Sequence, residues 1–143
     1  MNPLRLRQRA AITLALRQWF EEHGYLEVHT PNLVACPALE EHLEPVHVGD
    51  RYLHTSPEFA MKRVLATGLC RIYQICPSYR EDEVGVHHTR EFTMIEWYRV
   101  GAGTPEMMDE TISLIATAAR AVGFPVPQFE RSTVKALRHQ AGL

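Results

Sequence analysis

Residues 71–99 read RIYQICPSYREDEVGVHHTREFTMIEWYR, and this stretch decides the fold. It contains two runs of strand-forming residues, 71–80 and 90–99, on either side of a polar loop rich in carboxylates and histidines. Two such runs joined by a loop predict an antiparallel hairpin. We therefore expect a sheet organised around these two strands.

Side chains alternate between the two faces of a strand, so the hairpin is predicted to have one polar and one apolar face. The polar face is predicted to hold Gln74, Cys76, Ser78, Arg80, Phe92, Met94, Glu96 and Tyr98. The other face is predicted to hold core residues, namely Tyr73, Ile75, Tyr79, Ile95 and Trp97. A cation, an aromatic ring, a carboxylate and a phenol thus gather on one side of the sheet, which is the candidate for chemistry.

The composition is that of one soluble globular domain. The chain has 143 residues, enough for a hydrophobic core, with 45% hydrophobic and 22% charged residues. The net charge of -2 argues against broad electrostatic capture of nucleic acid. Arginines interrupt the apolar residues of the amino terminus, so neither a signal peptide nor a membrane span is predicted.

The cysteines and histidines form no recognisable metal or redox motif. Cys36, Cys70 and Cys76 are odd in number and include no CxxC pair, which favours a reducing, cytoplasmic location. None of the eight histidines has a metal-ligand spacing, and His87 with His88 is interpreted as an exposed loop pair. No metal site is predicted in the chain.

Before the hairpin, apolar spacing predicts a helix over residues 5–23, ended by a glycine, and a short strand over 25–28. Residues 32–49 are predicted to be irregular, either as a solvated loop or as a loop on the substrate side. A strand over 51–54 is predicted to lead into a helix that ends at Gly68.

The start of that helix allows two interpretations of one carboxylate. Thr55 and Glu58 have the spacing of a capping box, and Pro57 suits the first helical position. Glu58 is therefore either a helix cap or a substrate ligand, and the spacing alone favours the cap.

After the hairpin, Thr104 is predicted to begin a third helix. Its apolar stripe is predicted to consist of Met108, Ile112, Ile115 and Ala119. A strand near Gln128 and a helix over 133–140 are predicted to follow.

Together these segments resemble a class II aminoacyl-tRNA synthetase catalytic domain of the lysyl type. The first helix and strand, about residues 5–31, resemble motif 1, and the hairpin, about residues 70–99, resembles motif 2. The phrases TSPEFAMKRVL and REFTMIEWYR are closer still to one branch, the elongation factor P-(R)-beta-lysine ligases. The resemblance implies an α+β fold, in which an antiparallel sheet is flanked by helices, and a homodimer built through the first helix.

By this resemblance, residues 1–143 are the amino-terminal part of such a catalytic domain. Ligases of this branch lack the anticodon-binding domain of lysyl-tRNA synthetases, and a first helix that begins at residue 5 agrees with that expectation. Motif 3 has no counterpart, and the carboxylates that hold Mg²⁺ are expected in the missing carboxyl-terminal half.

The resemblance implies an ATP site on the hairpin. Arg80 matches the arginine that contacts the α-phosphate and is the implied catalytic residue. An arginine offers a fixed fork of donors to a phosphorus whose charge changes during attack. Phe92 matches the ring that stacks on adenine. Further ATP contacts are implied for Glu81, Asp82, His88 and Thr89.

An amino-acid site is implied beside the ATP site. Ser56, Pro57 and Glu58 match the amino-acid-binding segment, in which Glu58 would pair with the substrate ammonium. Glu96 and Tyr98 match residues that line the same pocket. Two carboxylates and a phenol suit a dibasic amino acid, lysine or (R)-beta-lysine, and do not decide between the two.

Motif 2 departs from the family pattern at two points. Glu81-Asp82 follows the arginine where lysyl relatives usually have Asn-Glu, and Thr89-Arg90 replaces the usual Asn-Pro.

The implied reaction has two steps. The amino-acid carboxylate attacks the α-phosphorus of ATP and releases pyrophosphate, and the acyl group of the adenylate then passes to an acceptor. The acceptor is a lysine of elongation factor P in the ligases and a tRNA in the synthetases. Two alternatives stay open: a lysyl-tRNA synthetase fragment, and a synthetase-like module that binds nucleotide or amino acid without turnover.

Overall fold

The computed structural model describes residues 2–38, 41, 43–82, 85–86 and 88–142. The interpretation of His87 as an exposed loop residue falls outside this part of the chain. The chain divides into two compact units. One unit is Phe20–Ala102, and the other consists of the described residues on either side of it.

Before the hairpin, four short strands lie between two helices in the chain, and the described elements after it are helical. In chain order the described elements are α1 (Pro3–Glu22), β1 (Leu26–Glu27), β2 (Leu33–Val34), β3 (His47–Val48), β4 (Arg51–Leu53), α2 (Glu58–Leu65), β5 (Arg71–Tyr79), β6 (Glu91–Arg99), α3 (Thr104–Ala121) and α4 (Val134–Gln140).

The larger sheet is built on the predicted hairpin, with the strand order β1-β5-β6. β5 and β6 are antiparallel, and their register pairs Gln74 with Glu96 and Ser78 with Phe92. β1 pairs with β5 in the parallel direction. Because paired residues lie on the same face, this register confirms that the predicted polar residues share one face of the sheet.

The apolar face of the larger sheet packs on the last turn of α1. The ring of Phe20 is fully buried. It stacks on Tyr73, with ring centroids 4.1 Å apart and planes inclined by 10°. Tyr25 meets it edge-on at 5.2 Å, and Trp97 lies 6.0 Å away. Gly24 has a φ of +73°, so it supplies the predicted left-handed turn that brings Tyr25 back onto the ring.

Phe20→Ala is expected to lower the free energy of unfolding by about 3–5 kcal/mol, because it empties the centre of this aromatic cluster. Urea denaturation measures the change. Phe59→Ala is the matched control, since Phe59 is 46% exposed and its truncation is expected to cost about 0.5 kcal/mol or less. Equal losses in the two variants would contradict the packing described for Phe20.

Residues 32–49 are predicted to be irregular, and most of those that the structure describes are, but two short strands depart from the prediction. These strands, β2 and β3, belong to a second antiparallel sheet with the order β2-β4-β3. Tyr52 of β4 faces Val34 on one side and His47 on the other. The two outer strands have only two residues each, too short for a period of two to show in the sequence.

The predicted capping box of α2 is wrong. The helix begins at Glu58, one residue later than predicted, so Pro57 takes the cap position and offers no side-chain hydrogen bond. The hydroxyl of Ser56 instead accepts from the Glu58 backbone N–H at 3.1 Å. Thr55 is fully buried, and its hydroxyl has no hydrogen-bond partner among the described residues.

In the helical unit, Met108, Ile112 and Ala119 of the predicted α3 stripe are half-buried, but Ile115 is not part of the buried face. Leu114 and Ala116 are buried, whereas Ile115 is 43% exposed. The indole N–H of Trp19 donates to the Ser113 hydroxyl at 2.8 Å, and this contact between α1 and α3 sets the rotation of α3. A polar anchor of this kind is not visible in apolar periodicity.

Among the described residues, no strand forms near Gln128. Pro125 and Pro127 remove two backbone donors from that segment, which disfavours a sheet ladder. α4 follows as predicted, and the Thr133 hydroxyl caps it by accepting from the Ala136 N–H at 3.1 Å. None of the helices described here is both long and apolar enough to cross a membrane.

Candidate functional site

The predicted site residues form two groups along the polar face of the larger sheet. Ser56, Glu58, Glu96 and Tyr98 are joined to one another by hydrogen bonds and are called the amine cluster below. Arg80 and Phe92 contact each other at the far end of the hairpin. Glu96 and Phe92 are four residues apart on β6, so roughly 13 Å separates the two groups along the strand.

Glu96 is the centre of the amine cluster. Its Oε1 accepts from the Tyr98 hydroxyl at 2.5 Å, and its Oε2 accepts from the Ser56 hydroxyl at 2.7 Å. The Ser56 oxygen also accepts from the backbone N–H of Glu58. Hydrogen bonds to a carboxylate are short and strong, so this chain fixes Glu96 and ties the start of α2 to β6.

Glu58 lies at the open side of the cluster, with its side chain 33% exposed. Its Oε1 accepts from the ammonium of Lys62, one helical turn later, at 2.5 Å. Pairs of this kind at the surface of a helix contribute little to stability. Glu58 is therefore a carboxylate that already holds an ammonium group and can exchange it for another.

The phenol of Tyr98 stays protonated beside these carboxylates. Burial raises its pKa, and the hydrogen bond to Glu96 and the negative charges of Glu96 and Glu58 raise the pKa further. A protonated phenol donates to Glu96 and leaves the negative charge on the two carboxylates. The cluster thus presents two carboxylates to a cationic ligand.

The raised pKa of Tyr98 predicts a loss of stability in alkali. The folded protein holds the phenol proton more tightly than the unfolded chain, so this contribution is complete below pH about 10 and is lost as the pH rises further. Tyr98→Phe is expected to flatten the fall in the free energy of unfolding between about pH 10 and pH 11. Urea titrations at each pH measure the slope, with Tyr52→Phe as control, and equal slopes in Tyr98→Phe and the wild type would contradict the prediction.

Arg80 follows the last residue of β5, and its guanidinium carbon lies 5.1 Å from the centre of the Phe92 ring. This distance is within the range of a cation–π contact. The backbone N–H of Arg80 donates to Arg90 O at 2.9 Å. The contact with Phe92 and this backbone bond hold the arginine at the end of the sheet, where its fork of donors can meet an anion.

The two ends of the hairpin loop are joined beside Arg80. Arg90 donates from Nε to Glu81 O at 3.0 Å, and its Nη1 lies 3.2 Å from Glu81 Oε1. The backbone N–H of Glu81 donates to Glu44 O at 2.8 Å. Glu81 is thus held from both sides, and this arrangement of residues 81 and 90 is called the loop neck below.

The other loop residues predicted to contact ATP lie at the surface. Asp82 and His88 are exposed, and His88 exchanges backbone hydrogen bonds with Gly85 at 3.2 and 3.3 Å. The Thr89 hydroxyl donates to Glu91 O at 2.5 Å and is thus directed toward its own strand. Their roles in ATP binding stay predictions.

The β5 half of the polar face is buried, which the parity argument did not predict. Gln74 is 1% and Ser78 0% exposed. The Gln74 side-chain oxygen accepts from the Thr30 N–H at 3.0 Å. Burial raises the pKa of the Cys76 thiol, which keeps it neutral. These buried residues lie beneath the site, and the site side chains that a ligand can reach are on β6 and α2.

Three residues at or beside the site were missed in the sequence. Lys62 could have been found from its i, i+4 spacing to Glu58. Arg90 stands out in the sequence only as a departure from the family pattern, and its pairing with Glu81 depends on how the loop closes. His54 bonds β5 through its side chain, and no periodicity indicates such a bond.

Comparison with known proteins gives one family. A family model described as class II tRNA synthetases (D, K and N) matches residues 2–141. The elongation factor P-(R)-beta-lysine ligase of Vibrio vulnificus strain YJ016 is 44% identical over 120 residues, which are 77% of this chain and 37% of that protein. The ligase of Pseudoalteromonas translucida strain TAC 125 is 42% identical over 127 residues, covering 80% of this chain and 39% of that protein.

A solved structure has the same fold. The asparaginyl-tRNA synthetase from Pyrococcus horikoshii, crystallised with asparaginyl-adenylate, superposes with a TM-score of 0.74 and 22% identity over 83% of this chain and 28% of that one. The chain therefore has the class II synthetase fold. It spans 37% of the length of the Vibrio ligase that it matches.

Proposed function

The chain belongs to the family of class II tRNA synthetases (D, K and N), and from this premise we propose that it activates (R)-beta-lysine with ATP and passes it to a lysine of elongation factor P. The names of the relatives support the choice of acyl group and acceptor. The amine cluster is the observation that carries the proposal, because it offers two fixed carboxylates to a dibasic amino acid.

The amine cluster would orient the amino acid. Glu58 would exchange the Lys62 ammonium for the substrate's, and Glu96, held by Ser56 and Tyr98, would bind a second ammonium without moving. Charge-assisted bonds to such preorganised carboxylates favour a diamine over a monoamine. The substrate carboxylate would then be directed along the polar face toward Arg80.

Arg80 and Phe92 would hold the nucleotide. Phe92 would stack on adenine, a contact that contributes about 1–3 kcal/mol in base–aromatic stacking. Arg80 would donate to the α-phosphate as the amino-acid oxygen forms its bond to phosphorus and the bond to pyrophosphate breaks. In the second step an amine would attack the adenylate carbonyl and AMP would leave. Catalysis would come mostly from positioning and charge stabilisation.

Mg²⁺ is a further group that the family implies for the reaction. No group of three histidine, cysteine, aspartate or glutamate side chains among the described residues could hold a metal ion. The steps above are therefore assigned only to residues of this chain.

The proposal includes a cytoplasmic homodimer. Free Cys36, Cys70 and Cys76 support a reducing compartment. The exposed Leu6 and Leu14 on α1, at 48% and 59%, support pairing through this helix. Sedimentation equilibrium tests the dimer, and a monomer at all accessible concentrations would contradict it.

ATP–pyrophosphate exchange with (R)-beta-lysine and α-lysine in parallel tests the activity. Exchange that prefers (R)-beta-lysine, followed by labelling of elongation factor P, would support the proposal. Exchange that prefers α-lysine, with labelling of tRNA, would identify a lysyl-tRNA synthetase activity. ATP binding without exchange would identify a binding module and refute the proposed activity of this chain.

A further inference from the structure

We propose that His54 is a positioning residue that sets the distance between the amine cluster and Arg80. The inference rests on the proposed function, since it concerns how the two halves of that site are brought together. His54 is the residue after β4, is 2% exposed, and precedes the segment of Thr55, Ser56 and Glu58.

His54 binds a part of the β5 edge that β1 does not pair with. β1 pairs with β5 only at Ile72 and Tyr73. Further along the same edge, Pro77 O and Tyr79 N–H point away from β6, because backbone groups of alternate residues point to the same side of a strand. His54 binds both: its Nε2 lies 2.8 Å from Pro77 O, and its own carbonyl accepts from Tyr79 N–H at 3.1 Å.

The imidazole replaces a backbone donor in this arrangement. In a parallel pair of strands, a residue donates its N–H to a carbonyl of the neighbouring strand. Its own carbonyl accepts from the N–H that lies two residues further along that same strand. The His54 carbonyl makes the second of these bonds, but its backbone N–H donates to Asn32 O at 2.9 Å, at the end of the smaller sheet. The side chain supplies the missing bond. His54 therefore links the end of β4 to the edge of β5, and this link is called the junction below.

The junction fixes the distance between the amine cluster and Arg80, and the proposed reaction depends on that distance. Ser56 follows His54 by two residues and bonds Glu96 at 2.7 Å. On the other side of the junction, Arg80 follows Tyr79 directly, and Ser78 is paired with Phe92. A displacement of about 1 Å between reacting groups can cost about 10²-fold in rate. Loss of the imidazole bond is thus expected to affect the chemical step.

The junction specifies which nitrogen must donate. A carbonyl only accepts, so the Nε2 that faces Pro77 must carry a proton. Nδ1 is buried and has no hydrogen-bond partner within the described part of the chain. A glutamine amide nitrogen lies as many bonds from Cα as Nε2, and an asparagine amide nitrogen as many as Nδ1. Glutamine can therefore restore the bond, and asparagine cannot.

The test compares His54→Gln and His54→Asn in pyrophosphate exchange on the full 143-residue chain. His54→Asn is expected to lower kcat about 10²-fold with both KM values nearly unchanged, and His54→Gln is expected to recover most of the loss. Leu114→Ala controls for stability, because it destabilises a buried position of α3, which belongs to the other compact unit. Equal kcat in the two His54 variants, or an equal loss in Leu114→Ala, would overturn the proposal.

Amide hydrogen exchange at Tyr79 separates this inference from the proposed function. The Tyr79 N–H is expected to exchange faster in His54→Asn and at the wild-type rate in His54→Gln. If the wild type shows no pyrophosphate exchange but Tyr79 responds in this way, the junction is supported and the proposed function fails. If Tyr79 does not respond, the junction is refuted whatever the activity.

Discussion

Arg80→Ala is expected to reduce pyrophosphate exchange about 10²–10³-fold, which corresponds to a loss of about 3–4 kcal/mol in transition-state stabilisation. Arg80 stands at the end of β5 against the Phe92 ring and is the residue to which the α-phosphate contact is assigned. Charge on the phosphorus oxygens rises during attack, so the loss is expected mainly in kcat. Exchange kinetics measure it, and equilibrium ATP binding is measured in parallel.

Two control variants test whether the loss in Arg80→Ala is specific to the guanidinium group of Arg80. Arg80→Lys keeps the charge but not the planar fork, so a large part of the loss is expected to remain. Arg63→Ala removes an exposed arginine of α2 and is expected to leave exchange within about 2-fold of the wild type, as for most surface substitutions. Normal exchange in Arg80→Ala, with the fold intact by circular dichroism, would show that the phosphate contact is assigned to the wrong residue.

Glu96→Gln is expected to raise the KM for the amino acid about 10–100-fold and to change the KM for ATP little. The substitution keeps the size of the side chain but removes the charge that two hydroxyl donors, from Ser56 and Tyr98, hold in place. Hydrogen bonds to a charged group contribute about 1.5–3 kcal/mol, which sets this range. Steady-state exchange with varied amino acid measures the change.

Glu91→Gln is the matched control for Glu96→Gln, since it removes one carboxylate from the exposed start of the same strand. Its KM for the amino acid is expected to stay within about 2-fold of the wild type, because exposed charges interact weakly through water. If both variants weakened amino-acid binding equally, the effect would come from net charge and the amine cluster would not be the site.

The hairpin was predictable because alternation and register are linked. Once Ser78 pairs with Phe92, every second residue of β6 must face the same side, so Glu96 and Tyr98 follow without further information. The first helix and its end at Gly24 were also predictable. A glycine directly after an apolar helical repeat commonly takes the left-handed conformation that ends a helix. The family resemblance then supplied roles for Arg80 and Phe92 that parity alone cannot give.

Features that depend on contacts between distant segments were not predictable. Ser56, not Thr55, bonds the start of α2, because its hydroxyl must also reach Glu96, 40 residues away. The exposure of Ile115 follows from a hydrogen bond of α3 to Trp19. The burial of Gln74 requires the backbone of Thr30, 44 residues earlier. Periodicity within a short window of sequence gives no information about such long-range contacts.

The loop neck has a consequence for how this protein can change through evolution. Arg80 N–H and Arg90 O close the hairpin at 2.9 Å, and the Arg90 side chain bonds Glu81 just beyond. Substitutions between these two points leave the ladder of β5 and β6 untouched, because the register is already fixed at the neck. Loop residues that the family resemblance assigns to ATP, such as Asp82 and His88, can therefore vary while the positions of Glu58 and Glu96 are inherited unchanged.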